Sequence, residues 1–359
     1  MAKPRKLVGL DVHAAGVAAA VLDVETGELG AFSLPGDVVE VTEFCSVLPR
    51  PVRATYEAGP TGYALARELE RRGVGCLVCA PGKIPRAPGD RVKTDRRDAE
   101  HLVRLLLAGK LHAVRVPGPA EEGLRDLVRA REDVRVDLMR ARHRLSKLLL
   151  RHGLRFEARA WTARHAQWLA QVELAEPTAQ ATLLDYRGAV DGLVHRRDGL
   201  DRAITQSVAT SDWAPQAGRL RCLRGIDVLS AAGLCCEVGD FARFERAGQL
   251  ASFVGLVPSE DSTGERKRRG AITKTGSRHA RRLLVEAAWH YRKPPRTGPV
   301  LEARQSGQPA AAVAISWSAQ QRLHRTWRRL EQRGKPRNIV AVAVARELAG
   351  FCWSIARTE

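Results

Sequence analysis

Asp11 sits inside the apolar run Leu7-Val8-Gly9-Leu10-Asp11-Val12. A carboxylate in such a run costs several kcal/mol to take out of water unless a cation or a hydrogen-bonding partner compensates it. Glu57 closes a second β-rich run, Val52 to Glu57, just before Ala58-Gly59. Asp95 and Asp98 lie three residues apart where a helix is expected to open, so they share one helix face. Taken singly, Asp95, Asp98 and Glu57 have structural explanations, since the helix dipole favours acids in a first turn and a glutamate at a strand end is an ordinary surface residue; Asp11, between Leu10 and Val12 of a core strand, is the hardest to dismiss. Together the four make an oxygen ligand set for Mg2+ (or Mn2+). Paired cations so held stabilise the attacking and leaving oxygens of a phosphodiester displacement.

For the four to converge, the strands bearing Asp11 and Glu57 must be neighbours, and the Asp95 helix must start at the same end of the sheet. The element signals supply that arrangement. Runs at Val17 to Val24 and Leu29 to Leu34, with a turn at Glu25-Thr26-Gly27, predict an antiparallel meander after the first strand. Helical residues near 37–47, a strand at Val52 to Glu57, a helix from Tyr63 to Arg72 and a strand from Val74 to Cys79 follow. A Pro- and Gly-rich loop covers 81–90, and Thr94 opens a helix to about Leu107. The order βββαβαβα is that of the α/β ribonuclease H-like fold, in which the first and fourth strands are adjacent. Actin-like and sugar-kinase ATPases share an acidic first hairpin but need a later Asp-Gly-Gly phosphate loop, and this sequence has none.

Pro117 to Pro119 ends that region and divides the chain into three expected parts: 1–117, 118–215 and 216–359. In the second, Leu124, Leu127, Arg131, Val134, Leu138, Ala141, Leu145 and Leu148 keep a 3-4 spacing, which predicts a long helix with a coiled-coil seam. A second long helix at about 180–208 carries Leu183, Tyr186, Val190, Leu193, Leu200 and Ile204 in similar register. The two can pair with each other or with another protomer. The third part is expected to be mainly α. Leu223 to Asp227 and Gly239-Asp240-Phe241 suggest two short helices about a glycine turn of the kind that sets backbone amides against phosphates. Residues 255–276 are expected to form a basic, Gly-punctuated loop, with a helix at 278–293 and an Arg-rich helical tail from about 308 to 357. In that tail Arg322 to Arg333, interleaved with Trp327, can stack on or grip nucleic acid, or form a solvated face. His101, His279 and His290 are singletons on expected helices, assigned to structure or phosphate contact.

The 359 residues carry a net charge of +19, and the isoelectric point is near 10.4, which calls for a polyanionic partner. Residues 1–115 account for only +3 of this charge and the remainder for +16. No long uncharged apolar stretch predicts a membrane span, and the basic N-terminus leads into a strand, not a signal peptide. Seven irregularly spaced cysteines, with Cys76 and Cys79 inside a strand-like run, suggest core packing in a reducing cytoplasm and no metal or disulfide framework.

The motifs Val8-Gly9-Leu10-Asp11-Val12-His13, Tyr56-Glu57-Ala58-Gly59 and Lys93-Thr94-Asp95-Arg96-Arg97-Asp98-Ala99 resemble signatures of the insertion-sequence 110 family of transposases. So do Gly239-Asp240-Phe241 with Arg243-Phe244, Gly255-Leu256-Val257-Pro258-Ser259-Glu260 and Gly270-Ala271-Ile272-Thr273-Lys274-Thr275-Gly276, and the resemblance extends through Ala287-Ala288-Trp289. It implies a RuvC-like domain whose metal-binding carboxylates are Asp11, Glu57, Asp95 and Asp98. It also implies a C-terminal domain whose serine attacks DNA and becomes covalently linked to it. The family excises and inserts a mobile element, guided by a structured RNA that pairs with donor and target DNA. Ser262 in Glu260-Asp261-Ser262-Thr263-Gly264 is the expected nucleophile, with Thr263 one residue away and Ser259 a weaker candidate. Arg266, Lys267, Arg268, Arg269 and Lys274 are placed to hold the phosphate. Where the family often has Gly-Ile-Gly, this chain has Gly225-Ile226-Asp227. The expected partners are DNA at the element ends and target, a guide RNA and further copies of the chain as a dimer or tetramer. Carboxylates of one protomer serving the serine of another is one such assembly. A junction-resolvase-like nuclease using the carboxylates alone is the alternative enzyme, and a nucleic-acid scaffold the non-catalytic one.

Overall fold

The computed structural model describes residues 4–85, 94–263 and 266–358, with the side chains of 261–269 outside the description. Two compact units result, Met1–Gly118 and Pro119–Glu359.

In the first unit, β1 (Lys6–Val12), β2 (Gly16–Asp23) and β3 (Leu29–Pro35) form the expected meander. After them come α1 (Val38–Ser46), β4 (Val52–Glu57), α2 (Ala64–Arg71), β5 (Gly75–Cys79) and α3 (Asp95–Leu107). The sheet order is β3-β2-β1-β4-β5, antiparallel through the meander and parallel from β1 to β4 to β5. This is the ribonuclease H-like arrangement, with β1 beside β4. The alternation along β1 splits the sheet's two faces: Val8 and Leu10 pack with Val41, Leu65 and Leu69 of α1 and α2, while Leu7 packs with Ala99, Val103 and Leu106 of α3. Gly9 lies on the α3 face, where a Cβ would overlap the Ala99 carbonyl oxygen and stand 2.8 Å from the Val103 nitrogen. Only glycine lets the helix lie this close on the strand.

The second unit is mostly helical. Its elements are α4 (Pro119–Arg151), α5 (Ala163–Gln171), α6 (Pro177–Ala209), α7 (Ala214–Arg221), α8 (Val228–Val238), α9 (Ala247–Phe253), β6 (Pro258–Thr263), β7 (Arg266–Ile272), α10 (Arg278–Ala288), α11 (Pro299–Gln305), α12 (Ala310–Gln332) and α13 (Arg337–Ala356). The long helices α4 and α6 run antiparallel. Leu138, Ala141, Leu145 and Leu148 meet Leu183 and Val190, Leu124 and Val128 share a cluster with Ile204 and Val208, and Arg131 grips Asp201 at 2.7 and 3.3 Å. The heptad positions of α4 are therefore filled from within this chain. The basic loop expected at 255–276 is instead an antiparallel hairpin of β6 and β7. Its strands, PSEDST and RKRRGAI, lack apolar alternation, so their pairing rests on backbone hydrogen bonds that leave no hydrophobic pattern to read. α13 is long and apolar enough by composition to cross a membrane, but Val340, Val344, Leu348, Cys352 and Ile355 are core residues of this unit.

Candidate active site

β1 delivers Asp11, its penultimate residue, to the same edge where β4 ends in Glu57. Leu10 pairs with Tyr56, and the two acids come one residue later on parallel strands. Asp11 is on the Leu7 and Gly9 side of β1, the side α3 covers. The Thr94 hydroxyl caps α3 by accepting from the Arg97 amide at 3.3 Å, which fixes Asp95 as the first residue of the helix with Asp98 one turn on. Because Gly9 admits α3 so closely, the helix N-terminus reaches the end of β1. The Nε2 of His13 lies 3.4 Å from an Asp11 carboxylate oxygen and 3.8 Å from one of Asp95. Asp11, His13 and Asp95 each offer one ligand atom within 4.8 Å of the others. Glu57 shares the sheet edge but stands outside that triad.

Burial raises the Asp11 pKa above its ordinary value; His13 opposes this, and the nearby Asp95 and Asp98 charges add to it. Three carboxylates on one partly desolvated edge repel one another. A divalent cation reverses that repulsion, and the donor set, oxygen-rich with one imidazole nitrogen, fits such an ion. His13 is the side chain that the sequence alone leaves without a role and the structure sets among these carboxylates. Its signal was the Asp-x-His spacing at a strand end, which returns the second side chain towards the first.

The hairpin of the second unit pairs Glu260 with Arg269, Asp261 with Arg268, Ser262 with Lys267 and Thr263 with Arg266, so every residue from Glu260 to Thr263 has a basic residue across the backbone ladder. The side chains of Ser262, Thr263 and Arg266 to Arg269 lie outside the described residues. Ser259 is exposed, and its hydroxyl lies against Gly270. Lys274 follows the hairpin in a left-handed conformation, φ 55°, with its amide donating to the Gly255 carbonyl at 3.1 Å. Gly255 and Gly276 also have positive φ; a Cβ on Gly255 would stand 2.5 Å from the Thr275 nitrogen, and one on Gly276 would overlap the Phe253 carbonyl. The Arg281 guanidinium ties both loops by donating to the Val254 and Thr275 carbonyls at 2.8 and 2.9 Å. The conspicuous glycines of this region thus build a rigid crossing that holds Lys274 out to solvent. Beside it, Gly270 to Ile272, α12 and α13 line an apolar groove of about 1530 Å³ whose wall includes Lys274, Arg322, Arg329 and Arg346.

Other candidates resolve into structure. Trp327 is fully buried against Trp289, so it cannot stack on nucleic acid, although its arginine neighbours remain exposed. His279 stands 3.8 Å from Glu237 and 4.0 Å from Glu132 in a buried ionic cluster, and His101 contacts the Pro85 carbonyl at 2.6 Å. Cys79 is buried and Cys76 half-buried on β5, and burial pushes their thiols up to about 11 and about 12, as expected of inert core cysteines. Asp227, the departure from the glycine pattern, caps α8 by accepting from the Ser230 amide at 2.8 Å.

Comparison with known proteins gives a consistent picture. Residues 217–300 match the model described as "Transposase IS116/IS110/IS902 family", and residues 8–153 match a transposase model of the DEDD type from the same group. The y4qE protein of Sinorhizobium fredii, named as a transposase, is 44% identical over 303 residues, 84% of this chain and 74% of the relative. The transposase for insertion sequence element IS1533 of Leptospira borgpetersenii is 34% identical over 341 residues, 93% of this chain and 99% of the relative. The transposase for IS1328 of Yersinia enterocolitica is 23% identical over 317 residues, 88% and 87% of the two chains.

Proposed function

The chain belongs to the IS116/IS110/IS902 family of insertion-sequence transposases, enzymes that act on DNA, and from that premise we propose a reaction that uses both conspicuous regions. The observation that carries the proposal is the convergence of Asp11, His13 and Asp95 at one sheet edge, with Asp98 and Glu57 beside it. Asp11, Glu57, Asp95 and Asp98 hold Mg2+ (or Mn2+), and His13 adds a nitrogen. The bound ion supplies positive charge to a phosphodiester whose oxygens gain negative charge in the transition state. Ser262 is the nucleophile, with Thr263 the neighbouring alternative. Its Oγ attacks phosphorus, one Oγ–P bond forms and one P–O bond to the adjoining sugar breaks. The serine hydroxyl gives up its proton as that bond forms, and the departing sugar oxygen takes one up and becomes a strand hydroxyl. Reverse attack by a strand hydroxyl rejoins the DNA and frees the serine, so the number of phosphodiester bonds is conserved and no energy-supplying cofactor is consumed. Arg266, Lys267, Arg268, Arg269 and Lys274 hold the phosphate and stabilise its charge.

Under this reading 1–117 is the carboxylate domain, 118–215 a helical connector whose coiled-coil seam is closed within the chain by α4 and α6, and 216–359 the strand-exchange domain, and the chain works as a dimer or tetramer held by other surfaces. The charge of +16 beyond residue 115 supports a polyanionic cargo there, and we assign it to element and target DNA together with a guide RNA. The seven free cysteines suit a cytoplasmic site of action.

Covalent trapping tests the reading. Protein, flanking DNA, RNA transcribed from the element ends and Mg2+ are mixed, denatured and mapped by mass spectrometry. An adduct on Ser262 that is lost in both Ser262→Ala and Asp11→Ala is the expected result, and an adduct on Thr263 moves the nucleophile by one residue. Free cut ends with no adduct, abolished only by the carboxylate variants, would replace the proposal with a hydrolytic nuclease of the junction-resolvase kind.

A further inference from the structure

A second cationic site lies in the Pro119–Glu359 unit, apart from the hairpin and Lys274. A cavity of about 410 Å³ opens between the Gly225 turn and the segment that leads into α11, and Arg224, His290, Arg296 and Arg304 line it. Two of these arginines are anchored. Arg224 Nη1 donates to the carbonyls of Pro294 (2.8 Å) and Lys293 (3.4 Å) and to Gln320 Oε1 (3.4 Å), and Arg304 Nη1 donates to the Ile226 carbonyl at 3.1 Å. These partners are neutral. Among the described residues, none of the three guanidiniums has a carboxylate within ion-pair distance. Asp227, the one acid in the wall, has a carboxylate oxygen engaged by the Ser230 amide. Burial in the cavity wall, then the charges of Arg224, Lys293 and Arg304, hold the His290 pKa below its ordinary range. Gly225, at φ 86°, closes one side: a Cβ there would stand 2.8 Å from the Ala287 carbonyl oxygen and 3.0 Å from His290 Cδ2.

Two anchored guanidiniums, with the exposed Arg296 at the rim, face one acid in a half-enclosed cavity, and an anion seated there would complete them. Guanidinium groups pair with phosphate oxygens through charge-assisted hydrogen bonds in a planar fork. We propose that this cavity seats one phosphate of a nucleic-acid backbone, a contact separate from the reacting phosphate at the hairpin. The proposal rests on the chain acting on DNA. Phosphodiesters are common to DNA and RNA, so the two are separated by experiment.

Binding of the full-length protein to a labelled mixed-sequence duplex DNA, and separately to a single-stranded RNA, is measured by fluorescence anisotropy over a salt series. Arg296→Ala and Arg304→Gln are compared with Arg144→Ala, which removes an exposed cation from α4. Each cavity variant is expected to weaken binding about five- to tenfold and to flatten the plot of log affinity against log salt by about one, while Arg144→Ala changes affinity less than about twofold. An effect confined to DNA assigns the seat to DNA, one confined to RNA assigns it to RNA, and either supports the site. Equal losses in all three variants, or none, would overturn it by showing only diffuse attraction. Arg304 also ties a backbone carbonyl, so calorimetric melting accompanies it. No side-chain bond of Arg296 has to be replaced, and it remains the deciding variant if Arg304→Gln misfolds. Failure of the unaltered protein to bind either polymer would instead strike at the DNA-processing reading.

Discussion

His13 shows how little of a site a single residue type announces. Asp11 was legible because an acid inside Leu7 to Val12 needs a reason to be there, and Asp95 with Asp98 because their spacing puts them on one face. His13 lies just past the strand, on the turn where its amide donates to the Gly16 carbonyl at 3.0 Å, and its two-residue spacing from Asp11 does not say what else meets it there. Only the arrival of α3 at that edge brings Asp95 within 3.8 Å of its ring. If it ligates the cation, His13→Ala should weaken Mn2+ binding about tenfold, within the range lost when a supporting group of a metal site is removed, and Asp11→Asn should weaken it further. Isothermal titration calorimetry on folded protein reads both. Unchanged affinity in His13→Ala would reduce the imidazole to a neighbour of the carboxylates.

Elements position these residues, and their legibility followed the strength of their pattern. The long helices α4 and α6 matched their expected spans because each repeats an apolar period many times, and the meander and α3 matched because a turn and an N-cap bound them. The β6–β7 hairpin did not, since Pro258 to Ile272 has almost no apolar residue to alternate, and a polar ladder cannot be told from a loop by composition. Gly9 could be seen in the sequence, but its reason could not, because the atom it would strike belongs to Ala99, ninety residues later. Gly9→Ala forces α3 off the sheet, and overpacking of that kind costs on the order of 3 kcal/mol. Urea unfolding should record the loss, and Mn2+ affinity should fall with it, because displacement of α3 carries Asp95 away from Asp11. Normal stability together with normal metal binding would mean that the helix can retreat without cost and that its close seat is not what assembles the site.

Across the whole molecule, charge and packing are partitioned alike. The Met1–Gly118 unit carries +3 and has cores on both faces of its sheet, and the Pro119–Glu359 unit carries +16 and has a helical core of its own. The larger unit also contains a buried acid with a measurable consequence. Glu237, at the end of α8 with its side chain 6% exposed, stands 3.5 Å from Arg129, 3.8 Å from His279 and 4.0 Å from Arg125. Burial alone would raise its pKa, but the neighbouring His279 and Ser277 and the two arginine charges outweigh burial and bring it from the usual 4.5 to about 2. A carboxyl whose folded pKa is depressed stabilises fully above its unfolded value, and that stability is lost as pH falls from about 4.5 through about 2. The shift corresponds to about 3 kcal/mol at neutral pH. Glu237→Gln should therefore lower stability by about that amount at pH 7 and flatten the acid limb between pH 4.5 and 2. If each unit unfolds on its own core, differential scanning calorimetry of the full chain should resolve two transitions. Glu237→Gln should then move only the one belonging to Pro119–Glu359, and Gly9→Ala only the other. One transition shifted by both substitutions would instead establish the chain as a single cooperative body.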